Sequence, residues 1–344
     1  MRALVLHGDY DLRVEERPDP RPGPGEVRID VVATGICGSD FHGYSGENGR
    51  RPPGQVMGHE TVGTVGAFAD DVDGLRVGQL VTVNPVLACG ACPACAAGVE
   101  QHCPDKSVIG VAPQISAAFA EQLVVPVANV VALAADLPAE LGALVEPLAV
   151  GYHAARRAEV GAQDRVLVIG GGPIGQACLL AARRLGVTAL AVSDPVGSRR
   201  DLCVVLGAAA LDPGAGELGD LVSGALGGRP TVVIDAVGVS ATLADALSVA
   251  DLGARIVLVG MGSPRLELAA YAVSTEERSI VGSFTYSASE FADTAAWVGT
   301  RPAGIDRLID GRVGFPDAAQ SFDDLARGRS TASKILVFPG GVPG

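Results

Sequence analysis

The sequence predicts an α/β protein in which a doubly wound parallel sheet accompanies a mostly β region. Three observations carry this reading. From Arg165 onward, short apolar runs alternate with helical patterns in a βαβ rhythm. The first of those runs ends in a glycine-rich turn that leads straight into a helical stretch. Residues 1 to about 153, by contrast, read as short β-branched runs broken by turn clusters. A length of 344 residues suits two domains. Hydrophobic residues make up 48% of the chain but aromatics only 4%, so the cores must be built from Ala, Val, Leu and Ile.

In the first region the expected strands are Arg2–Leu6, Glu26–Ala33, Thr61–Val65 and Gln79–Val83. The Pro- and Gly-rich run from Pro18 to Gly25 and the acidic turn from Asp70 to Gly74 separate them. Ala139–Ala158 changes composition and reads as helical. The alternating region then gives strands Val166–Ile169, Ala189–Ser193, Thr231–Asp235 and Arg255–Val259. Helices Gly175–Leu185, Ser198–Leu206 and Thr242–Ala250 lie between them. After about Ile280 the rhythm fades, and Ser321–Ile335 reads as a helix leading to a last strand, Ile335–Phe338.

A net charge of −13 and a pI of about 4.8 argue against nucleic acid or an anionic membrane surface as partner. The basic residues include only two lysines, Lys106 and Lys334, which reads as codon bias toward Arg. Met1–Leu6 is apolar but too short for a signal peptide, and no apolar run reaches the length of a membrane span. With Cys37, Cys178 and Cys203 scattered, the expectation is a cytoplasmic protein with reduced thiols.

Cys89, Cys92, Cys95 and Cys103 stand at spacing C-x2-C-x2-C-x7-C. Four thiolates on one short loop can close a tetrahedral Zn²⁺ site with no position left for substrate, which is the mark of a structural ion. The residues between them are small or turn-forming, so the loop has little apolar bulk of its own. A zinc there supplies on the order of 10 kcal/mol of ordering free energy. Two disulfides, or a redox C-x-x-C, are the competing readings.

Val166–Gly175 places G-x-G-x-x-G directly after a strand and into a helix. Gly170 serves the tight turn and Gly172 the approach of a pyrophosphate. Pro173 and Ile174 open the helix, and Gly175 lets it pack close to the strand. Asp194 follows 19 residues after Gly175, at the end of the next strand. A carboxylate there accepts both adenosine ribose hydroxyls and repels a 2′-phosphate, which favours NAD over NADP. Arg199 and Arg200 stand close by and are the residues through which NADP would be taken instead.

Cys37, His59 and Glu146 are each unremarkable alone, and their spacing does not identify a site. Together with Cys37-Gly38-Ser39-Asp40-Phe41-His42, Gly58-His59-Glu60, the four-cysteine loop and the Gly170–Gly175 turn, they carry a resemblance. Gly282-Ser283-Phe284-Thr285-Tyr286 adds to it. In these motifs, in this order, the chain resembles the zinc-containing medium-chain alcohol dehydrogenases, and most of all their sorbitol and polyol dehydrogenase branch.

The resemblance implies a GroES-like catalytic domain built from both chain ends (residues 1–153 and 285–344) with a Rossmann domain, 154–284, inserted. It implies that Cys37, His59 and Glu146 hold a catalytic zinc, with Glu60 as a carboxylate able to approach or replace a ligand. It implies a proton path through Ser39 and the nicotinamide ribose to His42, and a homodimer or homotetramer. The reaction it implies is reversible hydride transfer between a secondary alcohol and NAD. The substrate is expected among polyols, cyclitols and sugar-like alcohols. The runner-up is a less polar or threonine-like alcohol, because polyol dehydrogenases commonly carry Arg at the position of Thr285. Tyr44 and Tyr286 are pocket candidates or packed aromatics. A zinc-free enone reductase on the same fold would lack the cysteine loop and the Cys37/His59 pair. A non-catalytic zinc- or nucleotide-binding protein would have no need of Cys37, His42 and Glu60 together.

Overall fold

The computed structural model describes residues 1–343 except Asn48, Arg50, Gln114 and Ser116. The chain divides into two compact units, one formed by Met1–Glu146 with Ser287–Gly344 and the other by Pro147–Tyr286. The first seam falls inside the helix Val145–Arg157, and Pro147 in the first turn of that helix costs no backbone hydrogen bond. The second falls between Tyr286 and Ser287.

Unit 2 is a six-stranded parallel sheet in the order Ala209–Leu211, Ala189–Ser193, Arg165–Ile169, Val232–Asp235, Arg255–Leu258, Ser279–Gly282. Counted along the chain that is 3-2-1-4-5-6, so the sheet is the Rossmann arrangement, with its switch point between Arg165–Ile169 and Val232–Asp235. The strands are apolar on both faces because both faces are covered. Val166 and Val168 enter one core with Cys178, Leu179, Val192 and Val257. Leu167 and Ile169 enter the other with Val222, Val233, Leu247 and Ile256. The strands Ala209–Leu211 and Ser279–Gly282 have no counterpart in the sequence reading. They are edge strands of three and four residues, too short to show a period.

Unit 1 is built on a seven-stranded sheet. Its main path runs Ile309–Gly314, Lys334–Phe338, Glu26–Gly35, Glu60–Phe68, Leu80–Val83, Val130–Ala132, with Gln122–Pro126 also pairing with Glu26–Gly35. Glu26–Gly35 alternates buried and half-buried residues, and Val27, Ile29 and Val31 join Val65, Val81 and Leu123 in one core. The C-terminal strand pairs Leu336 with Gly35 and Val337 with Thr34, while Gly35 also pairs with Glu60 on its other side. Chain segments far apart in sequence therefore meet at one point of this sheet. The final helix begins at Phe315, earlier than the apolar pattern indicated, with Pro316 in its first turn.

Candidate functional site

Cys89, Cys92, Cys95 and Cys103 bring their four sulfurs within 4.8 Å of one another. The Cys92–Cys95 and Cys89–Cys95 sulfurs are 3.5 and 3.9 Å apart. A disulfide needs about 2.05 Å. The edge of a tetrahedron with Zn–S bonds of about 2.3 Å is about 3.8 Å, so the loop is shaped for a tetrathiolate ion and not for two disulfides. Local structure sets the sulfurs. A single helical turn, Pro93–Ala96, starts at Cys92, and the 3₁₀ turn Glu100–His102 delivers Cys103. Backbone N–H groups of Ala91 and Cys92 lower the Cys89 thiol to about 7. Desolvation, with the neighbouring thiol of Cys92, raises Cys95 to about 12. Four crowded thiols cannot all ionise unless a cation joins them.

The second group is Cys37, His59 and Glu60, whose ligand atoms also lie within 4.8 Å of one another. Cys37 caps the helix Gly38–Tyr44, and its N–H donates to Asp40 Oδ2 at 3.0 Å. Asp40 is wholly buried, and its other carboxylate oxygen lies 3.6 Å from His59 Nδ1. Neither of those two atoms has a hydrogen-bond partner. A carboxylate behind Nδ1 turns the ring so that its other nitrogen is offered as a ligand. Burial opposes a charge on His59, but Asp40 and Cys37 beside it outweigh that and raise its pKa well above the usual imidazole value; Glu146 adds to the same effect. The field that would favour an imidazolium equally favours a metal cation. A half-buried thiol with a buried imidazole and a buried carboxylate is the donor set of a zinc with a position left open.

Glu60 is held by a residue the sequence reading passed over. Lys334 Nζ donates to Glu60 Oε1 and Oε2, each at 2.6 Å, and to the carbonyl of Ile36 at 3.3 Å. Both side chains are buried. Burial disfavours the ammonium, yet Glu60 and Cys37 outweigh it and raise the Lys334 pKa. Gly35 makes the arrangement possible: a Cβ there would lie 2.0 Å from Glu60 Oε2 and 3.1 Å from Lys334 Cδ. So Lys334 reflects more than codon bias. Its compact ammonium fits between two carboxylate oxygens and a carbonyl. The signal for it was a lone lysine at the head of an apolar strand in an Arg-rich chain. Asp40 also went unassigned, although an acid three residues after a cap position is a helix-start signature.

Glu146 is buried in the first turn of its helix and lies outside the 4.8 Å group, although its charge reaches both His59 and Lys334. Ser39 stands in the first turn of the helix Gly38–Tyr44. His42, in the last turn, is half exposed, with Nδ1 2.5 Å from Glu47 Oε2. Tyr44 and Tyr286 are packed rather than displayed. Tyr44 lies edge-on to Tyr10 and Phe322 and donates to the Tyr10 carbonyl at 3.3 Å. Tyr286, the last residue of unit 2, is fully buried. Thr285 is partly exposed, holds φ +53°, and its Oγ1 has no hydrogen-bond partner. That backbone conformation is an outlier for a β-branched residue.

In unit 2 the turn after Arg165–Ile169 leads into the helix Pro173–Arg184, with Gly172 as its cap and Pro173 first in line. A Cβ on Gly175 would fall 1.8 Å from the Gly170 carbonyl oxygen, whereas one on Gly172 would meet nothing within 4 Å. The contact between Gly170 and Gly175 is thus a packing constraint, and the face beside Gly172 and Ile174 is open to a pyrophosphate. Asp194 is buried, taking the Gly171 N–H on Oδ2 and the Val196 N–H on Oδ1, each at 2.7 Å. Arg199 stands 3.8 Å from Asp194 Oδ2 with its side chain partly exposed. Arg200 is committed to Asp212 and to the Asp194 carbonyl.

A Rossmann sheet with a dinucleotide turn, carried on one chain with a buried Cys/His/carboxylate group and a tetrathiolate loop, defines a metal-dependent, dinucleotide-linked oxidoreductase. Two family models match: the alcohol dehydrogenase GroES-like domain over residues 23–135 and the zinc-binding dehydrogenase over residues 173–300. L-galactonate-5-dehydrogenase of Escherichia coli K12 is 30% identical, over 98% of this chain and 99% of its own. Sorbitol dehydrogenase of Arabidopsis thaliana is 32% identical, over 97% and 94%. An alcohol dehydrogenase of Escherichia coli CFT073, solved with cofactor NADH, has a TM-score of 0.90 at 29% identity, covering 98% of this chain and 99% of that one. The chain belongs to the zinc-binding medium-chain alcohol dehydrogenase family. It is a zinc-type oxidoreductase of CH–OH groups linked to a nicotinamide dinucleotide.

Cys95→Ser is expected to reduce bound zinc from two ions per chain to one, matching the two donor groups, and to lower the melting temperature. Metal analysis beside a thermal melt checks both. Lys334→Met leaves Glu60 as an unpaired buried charge, with an expected loss of about 3–5 kcal/mol. Adding Glu60→Gln should restore over half of it in urea unfolding, and no recovery would refute the pairing. Asp194→Gly is expected to raise the KM for NAD at least about tenfold and to move the NADP/NAD ratio toward NADP. An unchanged ratio would remove Asp194 from cofactor choice.

Proposed function

We propose that the protein oxidises a secondary hydroxyl of a polyol or sugar-acid type substrate to a ketone with NAD, and runs the reverse reaction with NADH. The observation that carries this is the buried group of Cys37, His59 and Glu60, steadied by Asp40 and Lys334. Curated relatives named for L-galactonate and sorbitol support the substrate class.

Cys37, His59 and Glu146 are the zinc ligands in this reading. Both carboxylate oxygens of Glu60 are already occupied by Lys334, whereas Glu146 projects its charge onto His59. Glu60 then serves as a reserve ligand whose approach Lys334 restrains. When bound, the ion lowers the pKa of a hydroxyl it touches and so makes the alcohol a better hydride donor at neutral pH. Ser39, in the first turn of the helix that Cys37 caps, takes the hydroxyl proton, and half-exposed His42 in its last turn releases it to solvent. Asp194 and the helix that starts at Pro173 hold the dinucleotide. Residues 1–146 with 287–344 form the catalytic domain and 147–286 the cofactor domain.

Thr285, where polyol dehydrogenases commonly carry Arg, supports a second reading. Its hydroxyl offers one donor in place of a guanidinium fork, which suits a cyclitol or a less polar secondary alcohol.

NADH formation by zinc-loaded protein over linear polyols, sugar acids, cyclitols, threonine and simple secondary alcohols separates the two readings. Turnover confined to apolar alcohols would reject the first. In the same assay Cys37→Ser should reduce kcat at least about a thousandfold while NADH binding persists. Full activity in that variant would reject the ligand assignment.

A further inference from the structure

Asp235 is a fully buried carboxylate at the carboxyl end of Val232–Asp235, the strand across the switch point from the phosphate turn. The chemistry above gives it no task. Its Oδ1 accepts the N–H groups of Val237 and Gly238, each at 2.9 Å, and its Oδ2 accepts the Thr242 hydroxyl at 2.9 Å. All three donors are neutral, so burying this charge carries a desolvation cost that an apolar residue would avoid. What the carboxylate secures is a shape: two successive N–H groups folded back onto one oxygen fix the turn after the strand.

That turn bears directly on the dinucleotide turn. Ala236 N–H donates to the Ile169 carbonyl at 2.9 Å, the residue before Gly170. Val237 Cγ2 lies 2.6 Å from where a Cβ on Gly170 would be. The next turn is locked to it as well. The Asp235 carbonyl accepts Val259 N–H at 3.1 Å and Gly260 N–H at 2.9 Å, while Val237 and Gly238 carbonyls accept Gly262 and Ser263 N–H groups at 2.9 Å. The two backbones touch so closely that a Cβ on Gly238 would fall 2.2 Å from the Gly260 carbonyl oxygen. Turns 236–239 and 259–263 are therefore one piece, standing at the strand ends where a Rossmann sheet takes its ligand.

We infer that Asp235 is a positioning residue for the nicotinamide dinucleotide: it sets the paired turns so that Val237 closes the side of the Gly170–Gly175 turn. The inference rests on the dinucleotide reading of that turn and adds to it a residue that never touches the cofactor.

The test is a fluorescence titration of NADH against the zinc-loaded protein, with a thermal melt of each variant. Asp235→Ala orphans two N–H groups and is expected to weaken NADH binding at least about tenfold and to raise the KM for NAD, with kcat changed less than about threefold. Asp235→Asn keeps an oxygen for both N–H groups and should bind within about threefold of wild type. Val233→Ala, a cavity in the same strand, is the control: it should lower the melting temperature while leaving NADH affinity within about twofold. The inference is overturned by a folded Asp235→Ala protein with unchanged affinity, or by equal weakening in Val233→Ala. Should Asp235→Ala not fold, Thr242→Val replaces it, and unchanged affinity there has the same force. Wild-type protein that fails to bind NADH would overturn the dinucleotide reading itself.

Discussion

Charge buried away from water must find opposite charge, and the sheet junction of unit 1 is organised by that requirement. Cys37, Asp40, His59, Glu60, Glu146 and Lys334 share one region of unit 1, all but Cys37 of them buried. Acids outnumber bases among them. Lys334 neutralises Glu60 through two short bonds, and Asp40 faces His59. What remains is a negative field around a thiol and an imidazole, which a divalent ion satisfies far better than a proton can. The site is a set of donors whose own burial makes a cation necessary.

The tetrathiolate loop solves the opposite problem. It has almost no core, its helical piece is a single turn, and its thiols are mutually repulsive once ionised. Hydrophobic burial cannot order such a segment, but a tetrahedral ion can. In the proposed reading one chain uses the same element twice for different ends: around Cys37 the protein orders the donors for an ion that performs chemistry, and around Cys95 an ion orders the protein.

Much of the cofactor half was legible in the sequence because its determinants are local. The glycine turn, the strand before it, the helix after it and the acid at the next strand end lie within thirty residues, where periodicity and spacing report directly on structure. Asp194 follows this logic, although its bond to Gly171 N–H was not foreseeable from spacing. Asp235 was not legible as anything but a strand end. Its role depends on two turns meeting across the sheet, and only the glycines at 238, 260 and 262 hint at the close approach. Edge strands such as Ala209–Leu211 were missed because three residues carry no period.

By itself the sequence determined the sheet type, the dinucleotide turn and the four-thiolate loop, because each is written in residues close enough to interact without the rest of the fold. It also supplied the candidate donors at 37, 59, 60 and 146. The tertiary structure decided which carboxylate stands where. It drew Lys334, from the last strand, beside Gly35 and across to Glu60, a sequence separation of 274 residues. It set Asp40 behind His59 and packed Tyr44 against Phe322. Those placements follow from strand register and close packing, which are cooperative properties of the folded sheet and belong to no short stretch of chain.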